Sequence, residues 1–374
     1  MIALRKETKK RQLNLLTNRR IIFVSDIHGD YPTFKKGLES LGFNDNDYLF
    51  IIGDIYEKGD ADMNLKTLRY VQELSKKENV YPMAGNCDEV FRFIMPDDQK
   101  ERFLYYIVDK KHSILNDIAK VEGIKVDRNL DFDMFRHLIN TKYHDCLDFI
   151  DSLDDIIFIN DKLVLVHGGV DDINNLPKYS LSMLKYDKFY NLGPKMPKIT
   201  IVGHYPTRNY RHDIACCNPI LDTNKNIFSI DGGNHVCKGG QINFLILDNL
   251  DDMNFSYQYF DHYPKYVMKC DVNYENPDKI VSLSFENNEV EVLDQDLDFY
   301  LVLEKNTNQK VWVHSSYLFK DDKGVYHTYD ATNLFLSLNK GDEISVIIKA
   351  KPYSLIKKNG YIGMIETKYI EDEN

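Results

Sequence analysis

Six residues of metal-ligand type stand directly behind five short apolar runs. They are Asp26 and His28 in Asp26-Ile27-His28-Gly29-Asp30, Asp54 in Gly53-Asp54-Ile55-Tyr56-Glu57-Lys58-Gly59, Asn86 in Gly85-Asn86-Cys87-Asp88, His167 in His167-Gly168-Gly169, and His204 after Gly203. Asp26 and His28 are two residues apart, and in an extended segment that spacing turns both side chains to one side, where they can share a cation. Asp54, at the same place behind the next run, is positioned to bridge two cations. This mixture of carboxylate, imidazole and amide donors suits Mn, Fe or Zn better than Ca or Mg, with Mn favoured. Two such ions ~3.5–4 Å apart lower the pKa of a bridging hydroxide and clamp a phosphoryl group in line. The chemistry expected is therefore metal-assisted hydrolysis of a phosphate ester. No nucleophilic side chain stands among the motifs, so no covalent phosphoenzyme is expected.

The elements that must position these groups are short and rich in β-branched residues: 21–24, 48–52, 80–83, 163–166 and 199–202. They are apolar on both faces, the pattern of strands covered on two sides. Helical spacing between the first three, near 31–41 and 62–77, argues for an α/β sheet, whose ligands gather beyond the strand carboxyl ends. Residues 88–160 carry charged helical segments, 101–118 and 132–153, read as an insertion that packs on the sheet or caps it. Runs near 227–233 and 242–247 read as a hairpin completing a domain over 20–265. From about 280 to 374 apolar and polar residues alternate between turn signals, the mark of a small all-β unit. Within it, residues 310–318 and 361–370 echo one another as a strand, a tight turn and a closing aromatic, so this region reads as one or two SH3-like barrels. Trp312, the only tryptophan, is expected in barrel core.

Composition narrows the classes. The 374 residues are 43% hydrophobic with a formal net charge of -11, enough for two or three domains and opposed to sequence-independent nucleic-acid binding. The six cysteines form no Cys-x-x-Cys pair, and a reducing, cytoplasmic setting fits them best. No apolar stretch approaches the ~20 residues of a membrane span. Residues 1–19 are basic and read as a solvated arm.

In order and content the series resembles the calcineurin-like metallophosphoesterases: Asp-x-His, Gly-Asp, Gly-Asn-His-Asp/Glu, His, Gly-His. It looks most like their phosphoprotein-phosphatase and diadenosine-tetraphosphatase branch. That branch's Gly-Asp-x-x-Asp-Arg-Gly is matched by Gly53–Gly59, its Gly-His-Thr-Pro by Gly203-His204-Tyr205-Pro206-Thr207, and its Ile-Asp-Thr-Gly by Ile230-Asp231-Gly232-Gly233. The resemblance spans roughly 20–248 and implies a four-layer α/β/β/α sandwich. It further implies that Asp26, His28 and Asp54 hold one metal, and Asp54, Asn86, His167 and His204 the other.

The departures fall among the catalytic positions. The branch's His after the Asn ligand, its presumed general acid, is Cys87 here, and the carboxylate that pairs with it is Glu57. A thiol with a pKa near ~8.5 is a poor substitute for an imidazolium, although small bacterial phosphodiesterases of the same superfamily also carry Cys at this point. The phosphate-clamping Arg is replaced by Lys58, which keeps the charge and loses the bidentate fork. Arg208 and His235 are candidates to contact substrate in its place, and Asp88 to orient ligands or water. The function expected is a phosphomonoesterase of the serine/threonine protein phosphatase type acting on a phosphorylated protein or nucleotide. A phosphodiesterase or dinucleoside polyphosphate hydrolase is the alternative. A further one is a catalytically weak metal scaffold whose β-rich tail grips a protein partner.

Overall fold

The structure, a computed structural model, describes residues 7–94 and 96–371. The chain divides into two compact units. The first comprises residues 1–205, 219–231 and 242–260; the second takes 206–218, 232–241 and 261–374.

Among the described residues the first unit has eleven strands: β1 (Lys10–Leu13), β2 (Ile21–Val24), β3 (Tyr48–Ile52), β4 (Val80–Met83), β5 (Ile156–Ile159), β6 (Leu163–Val166), β7 (Ile199–Val202), β8 (Ile220–Asp222), β9 (Ile227–Ser229), β10 (Ile242–Leu247) and β11 (Phe255–Phe260). They form two sheets, in the orders β11-β10-β2-β3-β4 and β1-β5-β6-β7-β9-β8. The strands that end at ligand motifs are parallel to their neighbours: β2 to β3 and β3 to β4 in one sheet, β6 to β7 in the other. Their carboxyl ends therefore lie on one edge of each sheet.

The expected double-sided burial follows from what covers each face. Phe23, Phe50, Ile52 and Leu245 of one sheet pack with Leu165 and Ile201 of the other. The outer face of the first sheet, Ile22, Val24, Leu49 and Ile51, packs under Phe34 of helix Tyr31–Ser40 and Leu68 and Val71 of helix Asn64–Leu74. Val164, Val166 and Val202 of the second sheet pack under Met183 and Phe189. The result is helix, sheet, sheet, helix. Each fully buried Val, Leu, Ile or Phe contributes ~1.5–3 kcal/mol.

Three expectations are corrected. The basic arm is not solvated throughout: Lys10–Leu13 pairs in parallel with Ile156–Ile159 as an edge strand. Its polar sequence hides it, because an edge strand needs backbone pairing more than apolar side chains; residues 1–6 lie outside the described residues. The 101–118 segment is not one helix. It breaks at Lys111, which is left-handed, before helix Ile114–Val121 begins with Ser113 as its N-cap. The 132–153 segment likewise divides into Phe132–Lys142 and His144–Ser152. Phe103, Ile107, Ile118, Phe135 and Ile139 of this insertion join the same core as the first sheet's outer face.

The second unit is all-β around an antiparallel four-stranded sheet, with Lys265–Val267 and Glu343–Ile348 next to Tyr353–Lys358 and Tyr361–Glu366. A three-stranded sheet spans Val290–Asp296, Phe299–Glu304 and Gln309–His314. The two echoes share one shape: strand Gln309–His314 runs into a 3-10 turn at Ser315–Tyr317, and strand Tyr361–Glu366 into one at Thr367–Tyr369. Their separate clusters, around Val302 and Val311 and around Ile344 and Ile365, fit a two-lobed unit. An SH3-like class is not established by these strands. Trp312 is half-buried between the buried Val311 and Val313, so it is not a core anchor.

The two loops assigned to this unit, 206–218 and 232–241, follow β7 and β9 in the chain. They are held there by backbone and buried charge. Ile362 N donates to Ala215 O at 2.8 Å and Cys217 N to Gly360 O at 3.0 Å. The wholly buried Lys357 Nζ meets Asp261 Oδ2 at 2.8 Å and donates to the carbonyls of Gly239 and Gly240 at 3.0 and 3.1 Å.

Candidate metal centre

Three of the five ligand motifs leave their strands through a strained turn. Asp26, His28, Asp54 and His204 all have positive φ, between 48° and 67°. Non-glycine residues held there cost ~1–3 kcal/mol each, and such strain collects at functional sites. The glycines before the ligands have a steric cause. A Cβ on Gly85 would lie 2.0 Å from Asp54 N, and one on Gly203 1.9 Å from Ser25 Oγ and 2.3 Å from Asp26 Oδ2. Only glycine lets these loops close on one another.

The donors converge. His167 Nε2 lies 3.3 Å from Asp54 Oδ1 and 3.2 Å from Asn86 Oδ1. His28 Nε2 is 3.7 Å from both Asp26 Oδ1 and Asp54 Oδ2. His167 Nδ1 sits 2.8 Å from Ile52 O, a contact that places a proton on Nδ1 and leaves the Nε2 lone pair for a metal ion. His204 is tied in twice: its backbone N donates to Asp26 Oδ2 at 3.0 Å, and Nε2 meets Asp187 Oδ1 at 2.8 Å. Sequence reasoning missed Asp187 and Ser25. Ser25 Oγ donates to Asp26 Oδ2 and sits 2.9 Å from Ile52 O. Its position beside the first ligand was the available signal; Asp187 offered none beyond its charge.

Two groups of donor atoms that include Asp54 fall within 4.8 Å of one another, Asp26 with Asp54 and His167, and His28 with Asp54 and Cys87. Asp54 belongs to both, in keeping with a bridging role. The partition differs from the one that the resemblance implies, because Cys87 joins His28 in the second group. Divalent cations fit this donor set. Asp26 Oδ1 is buried with no hydrogen-bond partner among the described residues, a costly arrangement for a carboxylate unless a cation meets it.

The electrostatics show the same crowding. Burial, with Asp54 close by, pushes the Asp26 carboxyl up. Burial also pushes on Asp54, but His167, His28 and Lys58 outweigh it and hold that carboxylate well below its usual range. Burial lowers His167, yet Asp54 and Asp26 raise it to about 10. Burial and the His167 charge lower His204 to about 4, so its imidazole is neutral and has a lone pair to offer.

The residues expected to act on substrate divide. Asp88 is wholly buried and clamps two ligand loops together, accepting from Ile55 N at 2.8 Å and Gly85 N at 2.9 Å. Its place is that of a positioning residue. Glu57 turns to the insertion: its Oε1 accepts from Ser113 Oγ and Ile114 N, both at 2.8 Å, at the start of helix Ile114–Val121. Burial raises its carboxyl to about 8. Cys87 lies half-buried, its backbone N donating to Asp54 Oδ1 at 2.8 Å, and burial with Asp54 nearby pushes its thiol up. Lys58 is exposed and lines a cavity of about 380 Å³ together with Asn86, Cys87, Arg102, Tyr106, Lys110, His112 and Lys185.

Arg208 is corrected. It is fully buried in the second unit, donating to Lys238 O at 3.0 Å beside Asp330 at 3.5 Å, and presents no surface to a phosphate. His235 also belongs to the second unit, stacked on His262 with ring centroids 4.9 Å apart.

A sequence model of the calcineurin-like phosphoesterases matches residues 19–237, and the chain belongs to that family. Among curated proteins it is similar to the symmetrical bis(5'-nucleosyl)-tetraphosphatase of Buchnera aphidicola subsp. Schizaphis graminum, 30% identical over 173 residues that cover 44% of this chain and 51% of that one. It is also similar to the asymmetrical bis(5'-nucleosyl)-tetraphosphatase of Bacillus cereus, 26% identical over 110 residues, 27% of this chain and 41% of that one. The chain spans about half the length of these relatives. A solved serine/threonine phosphatase from Saccharomyces cerevisiae aligns at 12% identity and a TM-score of 0.41, covering 74% of this chain and 88% of that one. Among the described residues no helix is long and apolar enough to cross a membrane.

Proposed function

We propose that the chain hydrolyses phosphoanhydride bonds of a small polyphosphorylated substrate, of the dinucleoside polyphosphate kind, at a centre of two divalent cations held by Asp26, His28, Asp54, Asn86, His167 and His204. Bound there, such cations supply Lewis acidity toward a phosphoryl group and acidify water. The observation that carries the substrate class is the cavity beside Asn86 and Cys87. Its volume of about 380 Å³ suits a small molecule, and Lys58, Arg102, Lys110 and Lys185 line it with cations, with Tyr106 the aromatic residue among them. The chemistry at Cys87 agrees. A thiol raised by burial is a poor proton donor. It suits a phosphate leaving group, which departs as a stable anion, better than a serine alkoxide, which needs a proton. The names of the curated relatives lie on the same side.

The test is a competition among substrates. Metal-stripped protein refilled with Mn is given diadenosine tetraphosphate, p-nitrophenyl phosphate and bis-p-nitrophenyl phosphate, with His204→Ala as control. Preference for the tetraphosphate, with KM raised in Arg102→Ala, is the expected result. Preference for the monoester would restore the protein-phosphatase reading, and preference for the diester the phosphodiesterase one. No turnover despite two bound ions would favour a scaffold that binds metal without catalysis.

A further inference from the structure

Cys87 occupies a place that the binuclear reading leaves without a task. Its Sγ lies within 4.8 Å of both an imidazole nitrogen of His28 and a carboxylate oxygen of Asp54. Asp54 is oriented for this. Its Oδ1 is engaged by Cys87 N and His167, and its Oδ2 faces His28 Nε2 at 3.7 Å. The sulfur also receives Asn86 Nδ2, from the preceding residue of the same loop, at 3.4 Å. Cys87 borders the cavity together with Lys58, so an ion has a route in and a displaced proton a route out.

We propose that Cys87 is a metal ligand, its thiolate completing the cation subsite that His28 and Asp54 begin. As the sulfur–metal bond forms, the S–H bond breaks heterolytically and its proton passes to solvent. No electron is transferred and no co-reactant is needed, because a divalent cation deprotonates a coordinating thiol outright. The inference rests on the two-cation reading above. It gives the two subsites different chemistry: oxygen and nitrogen donors alone around Asn86 and His167, and a soft sulfur donor beside His28, whose Nε2 is 3.7 Å from both Asp26 Oδ1 and Asp54 Oδ2. A thiolate selects Zn, Fe or Co over Mn or Mg, so it moves the preferred metal of one subsite away from Mn.

The experiment uses the full chain, stripped of metal and titrated with Co(II), with bound cobalt counted by equilibrium dialysis. The expected result is two cobalt ions and a near-ultraviolet sulfur-to-cobalt charge-transfer band. The band disappears in Cys87→Ser, survives in Cys270→Ser at the exposed cysteine, and the weaker ion in Cys87→Ser loosens by about tenfold or more. Two bound ions with no such band, or a band that persists in Cys87→Ser, would overturn the thiolate ligand and leave the two-cation reading standing. No cobalt uptake by the unaltered chain would overturn both. Should Cys87→Ser fail to fold, alkylation of the unaltered protein decides: cobalt protects Cys87 from iodoacetamide and leaves Cys270 reactive, and equal labelling of Cys87 with and without cobalt would sink the proposal.

Discussion

The two units bury charge in opposite ways. In the second, buried cations are matched within the chain: Lys357 with Asp261, which also takes Lys265 Nζ at 2.8 Å, and Arg208 with Asp330 and backbone carbonyls. In the first, Asp26 and Asp54 crowd the strand ends, and a carboxylate oxygen is left without a hydrogen bond. In the first unit the partners of the buried carboxylates are imidazoles of other ligand motifs, His28 and His167, rather than lysine or arginine.

Substitutions can break that comparison. The largest effect is expected from Asp54→Asn, which removes the residue shared by both donor groups. Turnover on whichever phosphate substrate is preferred should fall by about a thousandfold or more, while the melting temperature in chelator falls only modestly, since the lost Asp54 charge is favoured by His167, His28 and Lys58 in the folded state. A large loss of stability would mean that Asp54 is scaffold after all. Asp261→Asn should do the reverse, destabilising by about 3–5 kcal/mol in denaturant titrations because Lys357 is left buried without its partner. Adding Lys357→Met should recover most of that loss; no recovery would show that the pair is not the source.

Glu57→Gln sharpens the comparison within the first unit. The amide oxygen can still accept from Ser113 and Ile114, but no charge needs burying. With a carboxyl raised from 4.5 to about 8, the folded state binds the proton more tightly than the unfolded one. The wild type therefore loses stability as pH rises across that window, and is not penalised below it. Glu57→Gln should be more stable by about 2 kcal/mol near the upper end, with the gain vanishing at the lower end. A gain independent of pH would contradict the charge argument. The smallest effect is expected for Lys185→Ala, a threefold or so rise in KM with kcat unchanged, as befits an exposed cation at a cavity wall.

Much of the first unit was legible in the sequence because its strands are short, apolar on both faces and end at ligand-type residues. The side chains of Asp26, His28, Asp54, Asn86 and His167 lie close together. What escaped depends on partners far along the chain. Arg208 read as a substrate contact, since nothing near it foretells Asp330. Glu57 read as a partner of Cys87, since Ser113 and Ile114 are more than fifty residues on. The Lys10–Leu13 strand was invisible because edge pairing needs no apolar pattern. Asp187, which orients His204, lay in a segment whose period carries no sign of it.

The dispersal of the second unit over three stretches of chain also sets an order of events during synthesis. Residues 206–218 and 232–241 emerge from the ribosome long before Tyr353–Lys358 and Tyr361–Glu366, the strands that receive them. Until then Ala215 and Cys217 lack the Ile362 contact that buries them, and Arg208 lacks Asp330. Pairings so distant in sequence form slowly, and their unpaired backbone is an aggregation hazard in the meantime. A nascent chain stalled before residue 330 should therefore be held by chaperones, and a stop codon in the last strands should cost soluble yield even though every metal-ligand motif has already been made.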